Sequence, residues 1–156
     1  MDSRPLKNGF TLVELVLVIA LLGLFAVGVV TMTFNFKRSH LQVAAEKVRT
    51  DIEQARSLAM TKKGTTFGVF FNDSTDQYTV YQTAVTTPVA DPLTKQNLIE
   101  TFSKWSGVTL TGGNYTVEFN SLGSPTTGGG GSVQITDGTN TKTIIVTAVT
   151  GHVTVQ

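Results

Sequence analysis

The chain changes its hydropathy pattern twice. No charged residue occurs between Leu15 and Val30, and the low-charge stretch runs over residues 10–36 until Lys37 and Arg38 end it. As a helix this stretch measures about 40 Å at 1.5 Å per residue, enough for a bilayer core of about 30 Å. Beyond Ser39, the residues Leu41, Ala44, Ala45, Val48, Ile52, Ala55 and Ala59 recur at three- and four-residue spacing. Lys47, Arg49, Asp51, Glu53 and Arg56 fall mostly between them. That pattern predicts an amphipathic helix with one apolar stripe. Gly64, after Lys62 and Lys63, is the expected stop, with cations at the negative end of the helix dipole. Ser39 either caps a new helix or lies within a continuous one; the pattern favours one helix over residues 10–63.

After Gly64 the apolar period becomes two. Residues 66–72 and 77–82 are aromatic and β-branched runs joined by Asp73-Ser74-Thr75-Asp76, which reads as a hairpin. Residues 83–96 are polar, contain Pro88 and Pro92, and read as a surface loop. Residues 98–102, 108–111 and 115–119 read as short strands, punctuated by Gly107 and Gly112-Gly113-Asn114. Residues 121–131 are rich in Gly, Thr and Pro and read as a mobile loop. Residues 133–136, 142–147 and 152–155 close the chain as strands, the first two joined by Asp137-Gly138-Thr139-Asn140. The expected fold class is α+β, a long helix packed on antiparallel β-sheets.

Composition narrows the chemistry. The 156 residues carry no cysteine, which excludes disulfides, thiolate metal sites and cysteine nucleophiles. Net charge is +1, and without Arg4, Lys7 and Asp2 the charges balance, so nothing electrostatic points to nucleic acid or anionic lipid. His40 and His152 share no ligand spacing with each other or with acids, and no metal is expected. Gly128–Gly131 lacks the Lys-Ser/Thr that follows a phosphate loop. No nucleophile-elbow pattern occurs. Asp73, Asp76 and Asp137 lie in turns, and Trp105 reads as core. No cofactor and no enzymatic activity are expected.

One residue breaks the apolar stretch. Glu14 follows a basic leader containing Arg4 and Lys7 and ending in Gly9. An acid inside a membrane helix costs roughly 2.5–3.5 kcal/mol on insertion scales and calls for a partner. A secretory signal peptide would explain the basic leader, with Ala26-Val27-Gly28 as a loose cleavage site, but the apolar run is too long for one. A plain membrane anchor would explain the length and leave Glu14 unpaired. A third reading cuts the chain after Gly9. Phe10 then carries a free α-amino group, with Glu14 about 6 Å further along the helix. A neighbouring copy staggered by about one turn would set its positive terminus against Glu14.

The segment Lys7-Asn8-Gly9-Phe10-Thr11-Leu12-Val13-Glu14-Leu15 resembles the class III signal of type IV pilins and type II secretion pseudopilins. The resemblance implies cleavage between Gly9 and Phe10 by a prepilin peptidase, N-methylation of Phe10, and an assembly role for Glu14. It implies four segments: a leader over 1–9, a transmembrane and assembly helix over 10–36, its amphipathic continuation over 37–63, and a β-rich domain over 64–156. Many major pilins carry proline where this chain has Thr31, a departure from the pattern of a bulk filament subunit. Ala55-Arg56-Ser57-Leu58-Ala59, with a strand pair directly after it, resembles the helix end of the GspH/FimT group of minor pseudopilins and pilins. Phe119-Asn120-Ser121-Leu122-Gly123 and Gly151-His152-Val153 fit the same group.

The function implied is that of a minor pseudopilin or minor pilin of a type II secretion pseudopilus or type IV pilus, contributing to the filament tip. Its partners would be other pilin-type subunits, the prepilin peptidase and an inner-membrane assembly platform. It would be a single-pass inner-membrane protein with a periplasmic domain. The alternative is a FimT-like minor pilin that binds DNA in natural transformation; its C-terminal region would offer Lys142 and His152 but no arginine.

Overall fold

The computed structural model describes residues 11–62, 64–92 and 94–156; residues 26–38 are described by their backbone alone. The chain falls into two units that divide between Phe36 and Lys37. A single helix, α1, covers Leu12–Thr61, so Ser39 lies within a continuous helix rather than capping a second one. Gly64, at φ 83°, turns the chain beyond it.

Leu41, Ala44, Ala45, Val48, Ile52, Ala55 and Ala59 are all buried. They form one contiguous core with Phe67, Val69, Phe71 and Val117 of the strands. The alanines carry only a methyl group, so they hold the helix backbone little off the strands. Asp51 is buried as well, only 1% exposed. That corrects its expected place on the polar face, and the reason is a specific partner described below.

Among the described residues, ten strands form two antiparallel sheets. In chain order they are β1 (Phe67–Asn72), β2 (Gln77–Gln82), β3 (Ala84–Pro88), β4 (Ile99–Thr101), β5 (Thr109–Thr111), β6 (Tyr115–Phe119), β7 (Pro125–Thr127), β8 (Ser132–Thr136), β9 (Thr141–Val146) and β10 (Val153–Val155). The larger sheet has the order β3-β2-β1-β6-β7, with β4 also paired to β2; the smaller is β10-β9-β8-β5. The fold is α+β, as the pattern predicts.

The β1–β2 hairpin forms in the register Phe67↔Gln82 to Asn72↔Gln77. Its link is a one-turn 3₁₀ helix, Asp73–Thr75, closed by Asp76 in the left-handed region. Phe71 and Tyr78 pack ring to ring at 5.3 Å, and Phe102 extends the cluster to Trp105. Trp105 belongs to the core.

Two segments read as loops are ordered. Within residues 83–96, β3 pairs with β2 and Ala90 bridges Asn97. Residues 121–131 contain β7, and Gly128–Gly131 is tightly held. The Tyr115 hydroxyl donates to the Gly128 carbonyl at 2.6 Å, Gly130 N–H to Val146 at 2.8 Å, and Val146 N–H to Gly131 at 3.1 Å. Glycine there serves close packing of one backbone on another rather than mobility.

Candidate functional site

The residue that carries the functional reading, Glu14, lies in the first turn of α1 and is exposed. Its backbone N–H donates to Thr11 Oγ1 at 3.3 Å, and the N–H of Leu15 donates to the Thr11 carbonyl at 3.2 Å. Thr11 therefore caps the helix, and the spacing Thr-x-x-Glu is that of a capping box. An acid here also faces the positive end of the helix dipole. The capping signal is legible in the sequence Thr11-Leu12-Val13-Glu14 itself. Gly9 and Phe10, the expected cleavage pair, lie outside the described residues.

Around Glu14 the helix is apolar on every side. Leu12, Val13, Leu15, Val16, Leu17, Ile19, Leu21, Leu22, Leu24 and Phe25 are all more than half exposed. A helix with no polar face needs either lipid or other helices around it. Among the described residues no helix is long and apolar enough to cross a membrane. The run with described side chains ends at Phe25 and is shorter than the roughly 20 residues a span requires.

The second unit holds a buried polar cluster. Asp51 Oδ2 accepts from the Tyr78 hydroxyl at 2.6 Å, and Lys47 Nζ donates to both oxygens of Asp51 at 2.6 and 2.8 Å. Lys47 also lies 3.8 Å from Glu100, which Lys104 meets at 3.1 Å. Burial raises the Asp51 carboxyl above its ordinary value, outweighing the hydrogen bonds from Lys47 and Tyr78 that pull it down. Burial, together with the charge of Asp51, raises Tyr78. Every member has a partner, and the cluster joins α1 to β2 and β4. It is a structural clamp, with no unpaired group left to act on a substrate.

The remaining candidates for chemistry are spread apart or engaged. His40 is half-buried on α1 and His152 is exposed beside β10. Among the described residues no group of acids and histidines could hold a metal ion. The acids in turns bind backbone: Asp76 accepts from Leu110 N–H at 2.6 Å, and Asp137 from Thr139 and Asn140 N–H at 2.8 and 2.6 Å. A shallow cleft between Thr65–Thr66 and Asn120–Ser121 carries no charged side chain in its lining.

A helix docked by one stripe on antiparallel sheets, preceded by an all-round apolar stretch with one acid near its start, defines a pilin-type subunit. A family model described as type II transport protein GspH matches residues 44–151, and one for the prokaryotic N-terminal methylation motif matches residues 4–30. The chain belongs to the GspH family, the pseudopilin-type subunits of type II secretion. Comparison with curated proteins and with solved structures gave no match.

Proposed function

We propose that this chain is a minor pseudopilin that joins a short filament through its N-terminal helix and contributes to the filament tip. The single observation that supports this reading most is Glu14, one acid in the first turn of α1, within a stretch through Phe25 whose exposed side chains are otherwise apolar. Cleavage between Gly9 and Phe10 would free an α-amino group, which is then N-methylated. In the filament, the terminus of one copy would neutralise Glu14 of its neighbour and fix the stagger between them. Before assembly the helix over residues 10–36 would sit in the inner membrane, with the β-rich domain on the periplasmic side. The subunit performs no catalysis in this scheme.

DNA binding is the weaker reading. After Lys142 the chain has no lysine or arginine, so this end offers few phosphate contacts.

The experiment is processing and assembly of the full chain in a host that supplies a prepilin peptidase and assembly platform. The mature protein is expected to begin at a methylated Phe10 and to sediment as filaments. Gly9→Leu should remain at precursor size. Glu14→Val should be processed and inserted yet fail to sediment. An intact terminal Met, or normal assembly of Glu14→Val, overturns the proposal.

A further inference from the structure

We infer that the paired turns at Leu122 and Val149 form a docking surface for an adjacent pilin-type subunit of the same filament. This rests on the filament-subunit reading above.

Among the described residues after Phe36, Leu122 and Val149 are the most exposed large apolar side chains, at 81% and 76%. They lie on two turns that meet. Leu122 precedes Gly123, and a Cβ placed on Gly151 would come 2.6 Å from the Gly123 carbonyl. The turn bearing Val149 is closed by Gly151 N–H donating to the Thr147 carbonyl at 3.0 Å. Met60, 40% exposed near the end of α1, adjoins the same place: a Cβ on Gly123 would lie 2.7 Å from its sulfur.

The turns are rigidly built. Asn120 Oδ1 accepts from Leu122 N–H at 2.9 Å and from Ser124 N–H at 3.0 Å. Arg56 Nε donates to the Gly123 carbonyl at 2.9 Å. A preorganised surface gives up little conformational entropy on binding.

The two turns carry no charge of their own, and the cation at their junction, Arg56, is engaged by the Gly123 carbonyl. No Asp, Glu, Lys or Arg occurs between Glu118 and Asp137, nor after Lys142. Depletion of charge together with exposed apolar anchors marks the centre of a protein interface. The occupant must therefore present a mainly apolar surface.

Size decides where that occupant comes from. Three partly exposed side chains fall well short of the about 800 Å² per partner that a free-standing complex buries. Such a patch contributes only when its partner is already held nearby, at the high effective concentration that a second attachment provides. In this protein that attachment is the apolar helix before Phe36, which fits an adjacent filament subunit and not a freely diffusing protein.

The chain has no cysteine, so one introduced thiol is unique. Leu122→Cys and Val149→Cys, each in the full chain, would be labelled with maleimide-benzophenone and photolysed in assembled filaments. Thr139→Cys, at the opposite end of β9, is the control. Adducts with a pilin-type subunit, identified by mass spectrometry, are expected from both positions, with yields about tenfold above the control, as for a contact of about 1.4 kcal/mol. Adding Gly9→Leu, which blocks assembly, should lower the yield by a similar factor. Filaments without adducts, adducts with another class of protein, or adducts undiminished by Gly9→Leu overturn this inference alone. Absence of sedimentable filaments from the unsubstituted chain overturns the subunit reading, and this inference with it.

Discussion

Arg56 Nε donates to the carbonyl of Gly123 at 2.9 Å, across a separation of 67 residues. The bond ties the end of α1 to the turn between β6 and β7. It also explains an arginine beside the apolar stripe: the guanidinium reaches over the helix edge to a backbone acceptor. Arg56→Met keeps the aliphatic stem and removes the donor. It is expected to destabilise the fold by about 0.5–1.5 kcal/mol, the ordinary worth of one such bond. Amide exchange at Leu122 and Gly123 should accelerate more than exchange in β8. Uniform protection across both segments would show that the turn does not depend on this bond.

A matched pair of glycines separates strain from crowding. Gly151 has φ 66° and Gly138 has φ 86°, so alanine at either pays for the left-handed region, about 1–2 kcal/mol. A Cβ at Gly138 meets nothing within 4 Å, whereas at Gly151 it meets the Gly123 carbonyl at 2.6 Å and the Phe119 ring at 3.0 Å. Gly151→Ala should therefore lower the Tm clearly more than Gly138→Ala. Equal effects would mean that the meeting of the two turns yields without cost.

The hydroxyl of Tyr78 and the carboxylate of Asp51 are buried partners at 2.6 Å. Asp51→Asn retains an acceptor for the hydroxyl. Asp51→Ala leaves it unpaired at an expected cost of about 1–3 kcal/mol plus the lost packing. Denaturant unfolding of the detergent-solubilised protein would order the three as native, Asn, Ala, at a pH low enough for Asp51 to be protonated. Ala matching Asn would show that the hydroxyl finds another acceptor.

The same pair fixes the sign of a pH effect. The folded-state carboxyl is raised above its ordinary 3.8, so the folded protein holds this proton more tightly than the unfolded chain does. The stability it contributes is complete below pH 3.8 and is lost as pH rises through the higher folded value. The native protein should then lose Tm relative to Asp51→Asn as pH rises across that window, and the difference should level off above it. The opposite slope would mean that Lys47 and Tyr78 outweigh burial.

Much of the fold is legible from periodicity. The stripe from Leu41 to Ala59 and the β1–β2 hairpin follow from spacing alone, because each buries one continuous face. The charge of Asp51 points to the polar face, yet the residue is buried. It lies three residues after Val48 and four before Ala55, on the stripe itself, but only the tertiary position of Tyr78 makes an acid acceptable there. The Gly128–Gly131 segment fails for another reason. Glycine permits both mobility and close backbone approach, and the sequence does not say that Tyr115 and Val146 lie against it. The strand β3 was hidden because its Ala-Val-Thr-Thr run is short, uncharged and exposed. At the N-terminal site, Glu14 stood out by its apolar surroundings, while its relation to Thr11 needed the helix start to be seen.

That relation allows two roles of Glu14 to be told apart. If the acid serves mainly to start α1, weakening the helix start by another route should impair assembly to a similar degree. Thr11→Ala removes the hydroxyl that accepts from Glu14 N–H and should cost about 1 kcal/mol of helix stability. Glu14→Gln keeps the side-chain length and most of the helix propensity but abolishes the charge. Pairing with a neighbour's terminal amine predicts that Thr11→Ala sediments with filaments at near-native yield while Glu14→Gln is severely depleted. Mass spectrometry of the N-terminus would verify that both variants are cleaved. Equal loss in the two, with cleavage intact, would assign Glu14 to helix initiation and remove the reason for an intersubunit charge pair.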